Sequence, residues 1–193
     1  LDEYREQRRG GQGKAAAAVK EEDLIQNLYV LSSHVQILCF TTKGKVFWLK
    51  VYEIPVASRI SKGRPLVNML NLDDDERVSE ILPVEEFSDK HFIFMATRKG
   101  VTKKTNLSLF ARKWKSGIKA INLDKDDRLI GTAITDGTKE ILLASSAGKL
   151  IRFKESKVRA MGRTARGVKG IKLQKEQKLI SLNVADPAKL FFV

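Results

Sequence analysis

Leu72-Asp73-Asp74-Asp75-Glu76-Arg77-Val78, Leu123-Asp124-Lys125-Asp126-Asp127-Arg128-Leu129 and Leu173-Gln174-Lys175-Glu176-Gln177-Lys178-Leu179 share one form, two apolar ends six positions apart with a polar turn between them. They begin at 72, 123 and 173, so the steps are 51 and 50 residues. Two further markers recur in the same order. Turn glycines follow Lys43, Lys99 and Ala147 at Gly44, Gly100 and Gly148, each between apolar or β-branched runs. Glycine-containing basic loops stand at Lys62-Gly63-Arg64, Lys115-Ser116-Gly117 and Arg166-Gly167. Three markers in fixed order define a repeat of roughly 50 residues. A repeat of this length carrying several short strands is the signature of a propeller-like array, in which each blade buries its faces against its neighbours.

The strands are read outward from the turn glycines. His34–Thr41 and Lys45–Ile54 flank the first, Phe92–Thr97 and Val101–Thr105 the second, Ile141–Ser145 and Leu150–Phe153 the third; β-branched and aromatic residues dominate all six. Further strands are expected at Asp23–Val30, Leu66–Leu72, Val78–Val84, Ile118–Leu123, Arg128–Thr135, Val168–Leu173 and Lys178–Val184. That gives about four per period. Only the alanine run Ala15–Val19 has an obvious helical propensity, and it is short enough to be a loop edge. The fold class is therefore all-β, one domain over 1–193, with an N-terminal segment at 1–13 and units at roughly 14–62, 63–116, 117–166 and, in part, 167–193.

Composition sets the function classes. A chain of 193 residues with 42% hydrophobic and 31% charged residues has enough apolar material for a sizeable core. Its net charge of +13 implies an anionic partner, with nucleic acid ahead of an anionic membrane surface or an acidic protein. Residues 1–100 hold 15 basic and 15 acidic side chains, and residues 101–193 hold 21 and 8, so the second half carries the whole excess. Between Arg152 and Lys175 the only acid is Glu155. Such segregation is unlike the charge mixing of an ordinary solvated surface. No apolar run approaches the ~18 residues of a membrane span, and neither a leader nor a lipidation signal is visible. With Cys39 as the lone cysteine, a cytoplasmic chain without disulfides is expected.

The heptad Gln7-Arg8-Arg9-Gly10-Gly11-Gln12-Gly13 packs two guanidiniums against three glycines. Glycines let main-chain N–H groups approach an anion closely, and the arginines add forked donors suited to phosphate oxygens. Taken alone the stretch also fits a flexible basic loop. In six of seven positions it resembles the signature box of the C-terminal domain of the bacterial DNA gyrase A subunit; the sixth position, usually Lys or Arg there, is Gln12 here. Gly63-Arg64-Pro65, Arg152-Phe153-Lys154-Glu155-Ser156 and Val158-Arg159-Ala160-Met161-Gly162 resemble blade segments of the same family, so the likeness runs from end to end.

The resemblance implies a β-pinwheel, a propeller look-alike in which a blade borrows strands from its neighbour, usually with six blades. It implies a role in wrapping double-stranded DNA around a basic perimeter, which biases gyrase, an ATP-hydrolysing type II topoisomerase, toward negative supercoiling. The implied partners are duplex DNA, the rest of the gyrase A subunit and the gyrase B subunit in an A2B2 assembly, in the bacterial cytoplasm at the nucleoid. ATP and Mg2+ belong elsewhere in that assembly, and no cofactor is expected in this domain. Leu190-Phe191-Phe192-Val193 aligns with Ile37–Phe40 and Phe92–Met95, so the chain reads as roughly three and a half units of a truncated pinwheel.

The expected DNA contacts are the box residues Gln7, Arg8, Arg9, Gly10, Gly11, Gln12 and Gly13, with three groups of basic loops. Arg59, Lys62 and Arg64 form the first; Lys103, Lys104, Arg112, Lys113 and Lys115 the second; Arg152, Lys154, Lys157, Arg159, Arg163 and Arg166 the third. Lys and Arg on phosphates release counterions, which makes binding salt-steep and nearly blind to sequence.

Catalytic and metal readings find little support. His34 and His91 both precede strands at equivalent places of the repeat, and with Cys39 they give no zinc-ligand spacing. Asp73–Glu76 has the charge for Mg2+, but its counterpart Gln174–Gln177 keeps a single acid, which favours a polar turn. No GxxxxGK[ST] loop occurs, and Tyr4, Tyr29 and Tyr52 lie in the neutral half, away from any basic constellation suited to strand cleavage. Trp48 sits in an apolar strand as core, whereas Trp114 between Lys113 and Lys115 is the surface aromatic. Two rival readings are the C-terminal domain of the topoisomerase IV ParC subunit, where the box is usually degenerate or absent, and a propeller-type interaction scaffold. The intact heptad speaks against the first and the segregated charge against the second. Gln12→Lys adds one phosphate-seeking charge beside Arg8 and Arg9, so duplex titrations should show the slope of log K against log salt steepen by up to about one unit.

Overall fold

In the computed structural model, residues 9, 27–58, 61 and 63–185 are described. They form eleven strands in three antiparallel sheets and four short 3₁₀ turns. The first sheet is built on the hairpin β1 (Gln36–Thr41) and β2 (Lys45–Lys50), with β3 (Val78–Val84) on the free side of β1. The second repeats this with β4 (Phe92–Thr97), β5 (Val101–Asn106) and, beside β4, β7 (Leu129–Thr135). The third has β8 (Glu140–Ser145), β9 (Leu150–Lys154) and β11 (Leu179–Ala185). All three hairpins turn on a glycine of positive φ: Gly44, Gly100 and Gly148.

The outermost strand of a sheet comes from farther along the chain. β6 (Ile118–Lys119) follows β5 in sequence but pairs with β2, Lys45 opposite Lys119 and Val46 opposite Ile118. β10 (Val168–Lys169) follows β9 but pairs with β5. The sheet orders are β3-β1-β2-β6 and β10-β5-β4-β7, so each of these two sheets is finished by a strand borrowed from the next unit. The opposite edge strands β3, β7 and β11 pack in succession against one another.

The turn glycines hold the borrowed segments. Gly44 O accepts from the N–H groups of Ala120 (2.8 Å) and Ile121 (3.2 Å), and Gly100 O accepts from Gly170 (2.8 Å) and Ile171 (3.2 Å). A Cβ on Gly44 would stand 2.8 Å from Ile121 Cγ2, and one on Gly100 2.8 Å from Ile171 Cγ2. Only glycine supplies both the left-handed turn and this approach. Two apolar layers lie between the sheets: Phe40, Val46, Ile93, Met95, Phe110 and Ile121 between the first and second, and Phe94, Ile141, Leu143, Ile171 and Leu179 between the second and third.

Several expected strands end earlier or take another form. Ile118–Leu123 is extended only at 118–119 and Val168–Leu173 only at 168–169, because the paired hydrogen bonds of the next two N–H groups to the turn-glycine carbonyl pull those residues out of the ladder. Lys45–Ile54 stops at Lys50, whose N–H is taken by Glu53 Oε2 at 2.8 Å, and Val51–Glu53 is a 3₁₀ turn. Leu66–Leu72 is not a strand. Leu66–Met69 forms a 3₁₀ turn after Pro65, and Leu66, Met69 and Leu72, three apart, join Leu70 in covering Ile37, Phe47 and Leu49. Asn27–Val30 is irregular, and 23–26, like Ala15–Val19, fall outside the described residues.

Gly100→Ala combines a left-handed backbone, at φ +82°, with a Cβ 2.9 Å from the Ile171 carbonyl oxygen, whereas Gly148→Ala, at φ +70°, meets nothing within 4 Å. The left-handed conformation alone costs a non-glycine residue about 1–2 kcal/mol. Denaturant unfolding should therefore show Gly148→Ala losing about that much and Gly100→Ala distinctly more.

Candidate nucleic-acid interface

The basic loops owe their position to strand exchange. Residues 112–117 lead into β6, and residues 159–167 lead into β10. Because β6 and β10 are the outermost strands of their sheets, each loop emerges at the outer rim. Arg112, Lys113 and Lys115 are exposed on the first, and the Arg112 guanidinium lies 4.7 Å from the Trp114 ring centroid, a cation–π contact on a half-exposed indole. Partial burial, and then the nearby Lys50 ammonium, push the Lys113 amine below the usual lysine range. Trp48 is a core residue whose Nε1–H donates to Phe110 O at 2.8 Å.

On the third group, Arg152, Lys154, Lys157, Arg159 and Arg166 are exposed and Arg163 is half-buried. Two of them have acidic partners: Arg152 pairs with Glu140 and Arg166 with Asp124. Arg64 is exposed just before the 3₁₀ turn at Leu66. Of the box, Arg9 is an exposed turn residue, and Gln7, Arg8, Gly10, Gly11, Gln12 and Gly13 lie outside the described residues, as do Arg59 and Lys62.

Lys103 and Lys104 are not on the rim. Both are buried, at 0% and 7% exposure, because β5 is an inner strand between β4 and β10 and both its faces are covered. The Lys103 amine donates to Ala120 O at 2.6 Å and to Arg163 O; the Lys104 amine donates to Glu155 O at 3.2 Å. Counting from the turn glycine would have placed them: Lys103 and Lys104 correspond to Phe47 and Trp48 of the first unit, both core-facing.

The single acid of the basic stretch also has a structural task. Glu155 is fully buried, accepting from Thr135 Oγ1 at 2.7 Å and from the Lys139 N–H at 2.8 Å, with Lys104 Nζ 4.0 Å away. It anchors the start of the loop. Asp73–Glu76 closes a turn: Lys45 lies 3.1 Å from Asp73 and 3.4 Å from Glu76, and Glu76 accepts from Thr41 Oγ1. The Lys45 ammonium foremost, then Lys43, hold the Asp73 carboxyl below the usual range. Among the described residues no group of three His, Cys, Asp or Glu side chains is placed to hold a metal ion. Both histidines are exposed, each just before its strand. Among the same residues no helix is long and apolar enough to cross a membrane.

A family model described as the DNA gyrase C-terminal domain, beta-propeller, matches residues 1–32, 36–85, 91–136 and 139–186. The last three matches coincide with the three sheets' own strands. The chain belongs to the DNA gyrase C-terminal domain family. Gyrase A subunits similar to it include those of Salmonella typhimurium, 52% identical over 182 residues, and Escherichia coli, 50% identical over 184 residues. The alignments cover 94% and 95% of this chain and 21% of each relative, so the chain spans about a fifth of the length of these subunits. Among solved structures, the C-terminal domain of a DNA topoisomerase IV superposes with a TM-score of 0.81 at 28% identity, covering 89% of this chain and 53% of that one. A DNA gyrase A C-terminal domain superposes at 0.69 with 22% identity, covering 95% and 59%, and shares the fold. The borrowed outer strands are how this member builds the family's pinwheel.

Burial lowers the Lys103 amine to about 8, with the Arg163 guanidinium adding to the shift. The unfolded chain keeps that proton up to about 10.5, so between pH 8 and 10.5 the unfolded state binds more protons. The cost of burying the charge is present below pH 8 and relieved as the pH rises through that window. In urea unfolding, the stability of the unmutated chain relative to Lys103→Met should accordingly rise from pH 8 to 10.

Proposed function

We propose that this domain binds duplex DNA through its rim, without reading bases, and bends it along the array of sheets. The observation that carries this reading is the coupling of charge to architecture: the basic loops 112–117 and 159–167 each lead directly into a borrowed strand, so their cations are delivered to the outer edges of the first and second sheets. Bending a 20–30 bp stretch by 40–90° costs about 1–6 kcal/mol, and contacts spread along a curved path offset it. Arg64, Arg112, Lys113, Lys115, Lys154, Lys157 and Arg159 are the foremost contacts among the described residues, with the half-buried Arg163 beside them and Arg152 and Arg166 joining once phosphate competes with Glu140 and Asp124. Lys103 and Lys104 hold the loops from within.

In the longer subunit the domain would wrap DNA beside the cleavage machinery, with the rest of gyrase A and with gyrase B in an A2B2 assembly as partners, and so favour negative supercoiling. The catalytic groups, ATP and Mg2+ belong to those other parts, and the setting is the bacterial cytoplasm. The full-length gyrase A relatives at 50–52% identity and the intact heptad support gyrase over topoisomerase IV, whose likeness is one of fold.

Fixed-sequence and random duplexes titrated at two salt concentrations should bind alike and lose affinity steeply with salt. A flat salt response would remove the electrostatic mechanism. In the assembled enzyme, Arg8→Ala with Arg9→Ala should reduce wrapping and supercoiling far more than relaxation, measured on one plasmid; equal loss of both would assign the box to folding or to the cleavage core.

A further inference from the structure

We propose that Lys103 is a positioning residue whose buried amine seats the basic loop 159–167 at the junction of the first and second sheets, and thereby fixes where Arg159, Arg163 and Arg166 stand on the rim. The consequence for DNA rests on the function proposed above; the seat itself does not.

The argument starts at the outer edge of β5. Ala160 pairs with Lys104 in a parallel bridge, and the Met161 N–H donates to Lys104 O at 2.8 Å. Eight residues after Ala160, Val168 pairs with Thr102 in the opposite sense. Between these points the chain leaves the ladder, and the residue of β5 left facing the gap is Lys103. Its side chain fills the role that a ladder bond would have, donating to Arg163 O in the loop and to Ala120 O beyond β6. One amine thus joins three pieces: the second sheet, the strand lent to the first sheet, and the loop. A buried ammonium is tolerated only with its donors bonded, so the two carbonyls and the amine hold each other in place.

Past Met161, whose N–H is tied to Lys104 O, the other ties of the loop are longer or exposed. The Asn122 N–H donates to Ala165 O at 3.2 Å, and the Arg166–Asp124 pair is open to solvent. The first unit provides a natural comparison. At the corresponding position of β2, three residues after the turn glycine, stands Phe47, and a Cβ on Gly117 would lie 2.8 Å from its ring. There an aromatic ring supports the end of loop 112–117 by contact. In the second unit, hydrogen bonds take over from the ring.

Lys103→Met keeps the unbranched stem and removes the donors; Lys103→Arg keeps donors. In the full chain, amide exchange at Met161 and Ala165 should be at least about tenfold faster in Lys103→Met, and the slope of log K against log salt for a duplex should flatten by about one to three units as Arg159, Arg163 and Arg166 lose their fixed places. Lys103→Arg should restore most of both. Unchanged exchange and slope in Lys103→Met, or equal impairment in Lys103→Arg, would overturn the proposal. If Lys103→Met does not fold, lysine-selective NMR of the unmutated chain decides: Nζ protons of Lys103 shielded from water support the seat, and freely exchanging ones overturn it. If the unmutated chain fails to bind duplex, the DNA reading falls together with the consequence for the rim, while the exchange data still judge the seat.

Discussion

Everything in this architecture depends on two carbonyl oxygens, those of Gly44 and Gly100. Each accepts two successive N–H groups from a segment of the next unit, and each can do so only because its residue lacks a Cβ. The bonds themselves are ordinary; a net hydrogen bond contributes about 1 kcal/mol. Their effect lies in geometry. They dock Ile121 and Ile171 against the turn and so carry those side chains into the layers between sheets. They also end the borrowed strand after two residues and aim the preceding loop outward. Removing the close approach would disturb the core and the rim together.

The repeat was legible because it is written in turn chemistry, which is local. Positive-φ glycines and the acid-rich turns at 73–76 and 124–127 need no long-range information to be recognised. The hairpins around Gly44 and Gly100 accordingly fall close to where the alternating apolar runs put them. Leu66–Leu72 shows the limit of that reading. Its apolar residues suit either period, and what selects the 3₁₀ turn is the presence of Ile37, Phe47 and Leu49 on one side, a fact of tertiary structure. The same holds for β6 and β10, whose brevity is set by partners some seventy residues away.

The candidate interface divides in a similar way. Exposure follows from sequence for Arg112, Lys113, Lys115 and Arg159, because they stand in glycine-containing loops between apolar runs. It fails for Lys103 and Lys104, where charge suggested the surface and strand position dictated the interior. The repeat held the clue, since the first unit has Phe47 and Trp48 in those places. Glu155 is the converse case: the single acid amid the bases, to which the sequence assigned no task, is a buried anchor for the loop. Within this fold a residue's distance from its turn glycine is a better guide to its side than its polarity.

Borrowed strands also impose an order in time. The first hairpin is complete at Lys50, yet the outer edge of β2 waits for Ile118 and Lys119, and β5 waits for Val168 and Lys169. A chain leaving the ribosome must therefore hold an unpaired strand edge while more than sixty further residues are synthesised, several seconds at about 5–20 residues per second. Unpaired edges template pairing with other chains. During that interval a neighbouring nascent copy presenting the same Gly-Ile-Lys-Ala segment fits the vacant edge as well as the chain's own continuation does, so the feature that ties successive units into one body is also the point at which two molecules can exchange strands.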